Sequence, residues 1–251
     1  MKKIALCILS YRGLAKPEYW KPFYDSGKYN LYLHHKDELE DINEYHDWEK
    51  QFAIENRVYT EWGHIGLVKA TLELYKAALE DPQNQRFLLV SGDSIPLQSP
   101  KHIHEKMFDF NGNHIGKGSF SRTEKRKRYR GILNKKSVPY WKFIKHGQWI
   151  TLNRETVEFF TQHSFEENWE NCWIPDESFF GTMCNAHNIP FSEIKYTFTR
   201  WSKRIKRHPD TFENLSMPFL REKSEKGWLF LRKVNWLTEI DEYLKKRIDE
   251  K

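Results

Sequence analysis

Residues 62–97 read WGHIGLVKATLELYKAALEDPQNQRFLLVSGDSIPL. Within this stretch Ile65, Val68, Leu72, Tyr75 and Leu79 recur at helical spacing, which predicts an amphipathic helix over His64–Glu80. Asp81-Pro82 ends it, because proline cannot continue a helix and restricts the residue before it. Phe87–Val90 (FLLV) is a short unbroken apolar run and reads as a strand, with the polar loop Ser91-Gly92-Asp93-Ser94 at its carboxyl end. Helix, strand and polar loop in succession is the alternation of an α/β fold. Ligands of open α/β sheets bind outside the carboxyl ends of the strands. Ser91, Gly92 and Asp93 are therefore candidate site residues by position alone.

Working outward, Ile4–Leu9 is another continuous apolar run, bounded by Ser10 and Gly13, and fits a parallel strand buried on both faces. It is shorter than the roughly 7–15 residues of a signal-peptide core, and no small-residue cleavage site follows it. No window approaches the about 20 apolar residues of a membrane-spanning helix. A soluble or at most peripheral, cytoplasmic protein is expected. Asn30–Leu33 reads as a second strand, Asp37–Lys50 as exposed and charged, and Phe108–Gly118 as a loop. Trp149–Leu152, Lys195–Thr199 and Trp228–Leu231 read as short strands. Arg154–His163, Asp176–Ala186 behind Pro175, and Glu239–Arg247 read as helices. There is no internal repeat and no linker, so residues 1–251 are expected to form a single domain.

Composition narrows the function classes. Of 251 residues 39% are hydrophobic and 16% aromatic; rings either fill the core or wall a sugar-handling cleft. The net charge of +6 favours an anionic partner: nucleic acid, an acidic membrane surface or a phosphorylated small molecule. The 35 acidic residues largely offset 41 basic ones and no RNA-binding signature is present, which weighs against nucleic acid. Three cysteines are too few and too odd for a disulfide framework and suggest a reducing compartment. His102-x-His104 and Cys172…Cys184-x-x-His187 do not supply two close ligand pairs for zinc. Glycine-rich phosphate loops are absent.

Two clusters carry possible chemistry. Pro175-Asp176-Glu177-Ser178 suits a helix start, where proline and acids are favoured. A carboxylate there could equally deprotonate a hydroxyl in a cleft. The basic cluster runs through Arg200, Lys203, Arg204, Lys206, Arg207 and His208, then Arg232 and Lys233. It reads as a solvated surface or as a clamp on a diphosphate. The run Ser121–Arg130 (SRTEKRKRYR) reads as a solvated surface or a mobile loop.

Six segments in order resemble one family. KIALCILSY (3–11), the 62–97 stretch, GQWITLNRETVEFF (147–160), IPDESFFGTM (174–183), TFTRWSKRIKRHPDTF (197–212) and WLFLRKV (228–234) are similar to the core-2/I-branching β-1,6-N-acetylglucosaminyltransferases, with their plant relatives and the peptide-O-xylosyltransferases. The resemblance implies a GT-A-like (Rossmann-like) α/β domain whose mostly parallel sheet is flanked by helices. It also implies inverting transfer from a nucleotide sugar to an acceptor hydroxyl of a glycan or other molecule. UDP-N-acetylglucosamine is the first choice of donor and UDP-xylose the second.

By that resemblance Glu177 is the general base and Lys233 contacts the donor diphosphate. Arg232 and Arg207 are further diphosphate candidates, Ser91, Gly92 and Asp93 form the donor loop, and Trp149, Trp201 and Asp176 border the acceptor. The animal enzymes carry an aspartate two residues before the loop proline, where this chain has Ser94, with Asp93 one residue earlier. Metal-dependent GT-A enzymes hold their cation with Asp-x-Asp, whereas this loop has one carboxylate among many Arg and Lys; no metal or other cofactor is expected. The animal members also have an anchor, a stem and disulfides, so the chain reads as a stripped catalytic domain of bacterial or viral type. A nucleic-acid-binding protein and an inactive glycan-binding relative are the alternatives from other classes.

Overall fold

The run Ile4–Leu9 is buried along its whole length, as expected of a strand inside a sheet covered on both faces. In the structure, a computed structural model describing residues 1–37, 46–109, 112–202 and 208–250, it forms β1 (Lys3–Ser10). The remaining strands in chain order are β2 (Tyr29–His35), β3 (Asn84–Ser91), β4 (Ser94–Pro96), β5 (Asn113–His114), β6 (Thr151–Asn153), β7 (Phe191–Ser192), β8 (Thr197–Thr199), β9 (Asn214–Leu215), β10 (Phe230–Arg232) and β11 (Glu239–Ile240). The helices are α1 (Lys21–Asp25), α2 (His46–Lys50), α3 (Gly66–Leu79), α4 (Pro100–Phe108), α5 (Arg122–Arg130), α6 (Arg154–Thr161), α7 (Phe179–Ala186), α8 (Met217–Glu225) and α9 (Glu242–Ile248).

The main sheet has the order β2-β1-β3-β6-β5-β7. Pairs β1–β2, β1–β3 and β5–β7 are parallel; β6 runs against both its neighbours. The mixed, mostly parallel α/β sheet expected from the sequence is thus present. Alternation along β1 and β3 divides the core in two. Ala5, Cys7, Leu9, Phe87 and Leu89 face α3, α6 and α7, packing on Val68, Leu72, Tyr75, Val157 and Phe180. Ile4, Leu6, Ile8, Leu88 and Val90 face the other way, onto Ile103 of α4, Leu220 of α8 and Leu244 of α9. The three cysteines are free and buried. No helix among the described residues is long and apolar enough to cross a membrane.

A second sheet, β4-β10-β8, attaches to the carboxyl edge of the first. β4 begins three residues after β3 ends, and β10 pairs with it antiparallel, Arg232 opposite Ser94 and Phe230 opposite Pro96. This pairing brings residues 139 apart in sequence to the strand-end loop.

The structure departs from the sequence expectations in several places. Residues 121–130 are not a loop: they form helix α5 behind Ser121, whose Oγ accepts from the Glu124 N–H at 3.1 Å, and the expected solvated surface holds for its outer face while Arg128 is buried. Pro175-Asp176-Glu177 is a separate 3₁₀ turn, not the first turn of α7, because Ser178 leaves the helical region (φ −147°). The strand expected at Trp149–Leu152 lies at Thr151–Asn153, and β5 interrupts the loop expected at 108–118. Helices α4 and α8 carried no sequence expectation; Pro100 and Pro218 sit in their first turns behind Ser99, whose hydroxyl accepts from His102 N–H, and Ser216, which makes no side-chain cap, a legible start signal.

Candidate active site

The carboxyl ends of β1 and β3 lock together. Gly92 N–H donates to Leu9 O at 2.7 Å, and Ala15 N–H donates to Gly92 O at 2.8 Å. Ser10 Oγ accepts from Gly13 N–H at 2.7 Å. A β-carbon on Gly92 would lie 2.5 Å from Gly13 O and 2.6 Å from Ser10 Oγ, so only glycine permits this approach. Gly92→Ala is expected to destabilise by about 1–3 kcal/mol, since neighbouring backbone must move; urea denaturation measures it. A change under a few tenths of a kcal/mol would show that the loops separate easily.

Asp93 is the hub of this edge. Its carboxylate accepts from Arg232 Nε at 3.1 Å and Arg232 Nη2 at 3.3 Å, pairs with Lys233 Nζ at 3.3 Å, and takes the Ser91 hydroxyl. Burial alone would raise its pKa; the two cations and the hydroxyl outweigh that and hold it below the usual carboxylate range. Arg232 lies between this carboxylate and the ring of Trp149, its guanidinium 4.6 Å from the ring centroid. Its side chain is 16% exposed against 40% for Lys233. Arg232 is therefore turned into the fold and Lys233 outward. Exposed Tyr11, just beyond β1, carries Arg12 at 5.1 Å and Lys36 at 5.6 Å over its ring.

A second cluster surrounds Glu177. Its Oε2 accepts from Arg128 Nη2 at 3.2 Å and pairs with Lys145 Nζ at 3.7 Å. Glu124 shares both cations, at 2.6 Å from Arg128 and 3.0 Å from Lys145. Glu124 is held below the ordinary range, its burial outweighed by Lys145 and Arg128. Arg128 is 1% exposed, and its Nη1 donates to Ile174 O at 3.0 Å. Ile174 has φ +51° and ψ +60°, a conformation that β-branched residues before proline strongly disfavour. Both its backbone groups are pinned: the N–H donates to Gly63 O at 2.8 Å and the carbonyl accepts from Arg128. That over-determination holds the strained residue and fixes the 3₁₀ turn carrying Glu177.

Asp176 is buried, and among the described residues its Oδ1 has no hydrogen-bond partner. Burial, helped by Glu177, pushes its carboxyl up to about 7; its own backbone N–H and Arg128 offset only part. A carboxyl whose folded pKa is raised gives full stability below its unfolded value, and stability is lost as pH rises toward about 7. Asp176→Asn should therefore flatten the stability profile between about pH 4 and pH 7. It should also raise stability at neutral pH by a few kcal/mol, since each tenfold change in the protonation equilibrium is worth about 1.4 kcal/mol. Thermal melts across that range check it; an unchanged slope would remove Asp176 as the titrating group.

The two clusters are tied by one short segment. His146 N–H donates to Glu177 O at 2.8 Å, and three residues later Trp149 lies under Arg232. Three residues span at most about 11 Å. The structure thus brings Ser91, Gly92, Asp93, Arg232, Lys233 and Trp149 to one strand edge and ties Glu177 and Asp176 to it. Trp149 packs on the core beneath Arg232, whereas Trp201 is 56% exposed. Arg207 lies outside the described residues, as do Lys203, Arg204 and Lys206. Arg128, Lys145 and Glu124 escaped the sequence reading, although Ser121-x-x-Glu124 is a capping-box spacing that marks α5. The hollows lined by Glu18, Lys21 and Lys245, and by Asn113, Thr156 and His187, share no residue with this edge.

Comparison with known proteins places the chain in a family. The sequence pattern described as Core-2/I-Branching enzyme matches residues 4–223. The chain belongs to the core-2/I-branching enzyme family. The match takes in β1, the Asp93 loop and the Glu177 turn and stops short of β10. A relative, Glycosyltransferase BC10 of Oryza sativa subsp. japonica, is 23% identical over 203 residues, which cover 70% of this chain and 47% of that protein. The chain thus spans about half the length of this curated family relative. A solved glycosyltransferase involved in glycosylation of the major capsid of PBCV-1 is similar over 62% of the chain and 63% of its own, at 12% identity and a TM-score of 0.32.

Proposed function

We propose that the chain is an inverting glycosyltransferase acting without a metal, with Glu177 as base and a UDP-sugar, first UDP-N-acetylglucosamine, as donor. The observation that carries this reading is the pairing of a cation-anchored carboxylate with a strand-end loop whose Asp93 holds Arg232 and Lys233. Arg128 and Lys145 hold Oε2 of Glu177, and among the described residues Oε1 has no hydrogen-bond or ion-pair partner. That oxygen is the one to take the acceptor hydroxyl proton as the hydroxyl attacks the anomeric carbon. The bond from that carbon to the diphosphate breaks on the opposite face, and the leaving nucleoside diphosphate carries away the electron pair.

Lys233 is the outward cation for the diphosphate, with Arg232 and Asp93 setting its position. Asp93 supports a metal-free scheme because two cations and a hydroxyl already occupy it. Trp201, exposed, suits the acceptor side; Trp149 supports Arg232. UDP-xylose is the second donor choice. Family membership, matched over the Asp93 loop and the Glu177 turn but not over Arg232 and Lys233, supports the glycosyltransferase part of the reading.

A thermal-shift screen of UDP-sugars tests the reading, because a ligand bound only by the folded form raises apparent stability. The matching donor should raise Tm in EDTA as well as in buffer, and Lys233→Ala should reduce that shift. Transfer that requires manganese would overturn the metal-free part. No shift with any nucleotide sugar would overturn the donor class.

A further inference from the structure

Residues 121–145 hold ten Lys and Arg and one acid, Glu124, although the whole chain carries only +6. Positive charge is therefore concentrated in this segment, and the rest of the chain is slightly acidic. Helix α5 sorts its charges by face. Arg128 points inward to Glu124 and Glu177, while Arg122, Arg126 and Arg130, four residues apart, are exposed together. Like charges at that spacing repel each other. Among the described residues none of these three, nor Lys125, Lys127, Lys135, Lys136 or Lys142, has a carboxylate within ion-pair distance.

Beside this face lie large apolar groups in water. Trp141 is 77% exposed, and Tyr140, 37% exposed, packs edge-on to Tyr129 of α5 at 5.0 Å with Lys125 at 4.7 Å over its ring. Leu133 is also exposed, but Glu166 and Glu167 border it on the turn whose Asn168 carbonyl accepts from Leu133 N–H. The uniformly basic part is therefore α5 with the Tyr140–Trp141 corner.

We propose that this face docks the protein on an anionic lipid bilayer, with Trp141 and Tyr140 at the headgroup level and the arginine row on the lipid charges. Tryptophan and tyrosine prefer the membrane–water interface, and clustered cations are drawn to its negative surface. Single-stranded nucleic acid could also stack bases on rings beside cations, but the 35 acidic residues that largely offset 41 basic ones and the lack of an RNA-binding signature weigh against it. The inward side of the same helix holds Glu177 through Arg128, so docking would leave that site about one helix diameter, roughly 10 Å, from the membrane.

The test is co-sedimentation of the full chain with phosphatidylcholine vesicles, with and without phosphatidylserine. Binding is expected only when phosphatidylserine is present and should weaken with salt. Arg122→Glu/Arg126→Glu/Arg130→Glu should weaken it by at least about tenfold, and Trp141→Ser by several-fold at unchanged circular dichroism. Lys135→Glu/Lys136→Glu, in the adjoining loop, repeats the charge test should the helix variant fail to fold. Equal binding to both vesicles, indifference to Trp141→Ser, or tight oligonucleotide binding without vesicle binding would overturn the proposal. UDP-sugar binding is measured separately, so failure here leaves the proposed function standing.

Discussion

Glu177→Gln should lower transfer by about 10²–10⁴-fold, the usual contribution of a positioned general base. The replacement keeps the shape and leaves an oxygen for Arg128 and Lys145 but removes the proposed proton acceptor. The donor-induced rise in Tm should survive, because Asp93, Arg232 and Lys233 belong to the other cluster. Rate and thermal shift together separate two failures. Lost transfer with retained donor binding places Glu177 at the chemical step. Loss of both would mean that the turn supports the donor edge rather than the proton transfer. Near-normal transfer would falsify the base assignment.

Arg128→Met should cost about 3–5 kcal/mol of stability, the range seen when one partner of a buried ion pair is removed. Arg128 makes three contacts at once: Glu124, Glu177 and the carbonyl of Ile174. Its loss leaves Lys145 alone to balance two carboxylates and frees a residue held at φ +51°. Lysine should not rescue it, because the contacts use both terminal nitrogens of the planar fork. Lys145→Met should cost less, since Lys145 is one-quarter exposed. Urea denaturation of the three variants checks the order. A small loss for Arg128→Met would mean that the cluster is solvated and the turn relaxes freely.

The two effects differ in kind although they meet at one carboxylate. In the proposed mechanism Glu177→Gln acts on a proton transfer, and because Glu124 still pairs with Arg128 it should cost less stability than Arg128→Met. Arg128→Met acts on the frame of the turn and should lower stability and transfer together. Comparing transfer rates at matched folded fractions separates the contributions.

The sequence by itself determined the α/β alternation: the unbroken apolar runs Ile4–Leu9 and Phe87–Val90, the helical spacing from Ile65 to Leu79, and the Ser91–Ser94 loop at a strand end. These signals are local, because burial on both faces and helix periodicity leave their mark within a few residues. Ser121-x-x-Glu124 was equally local and marked a helix that the weight of charge in 121–130 obscured. Glu177 and Lys233 were singled out only by the ordered resemblance to the family, not by their own pattern. The turn around Glu177 was not legible as a turn: proline and two acids fit a helix start, and only the Ile174 backbone, pinned by Gly63 and Arg128, decides otherwise. Tertiary structure alone decided that Asp93 faces Arg232 and Lys233, because an antiparallel pairing between β4 and β10 sets that register across 139 residues. It alone made Arg128 an inward residue among outward ones, since a run of like charges does not say which member the fold will bury and pair.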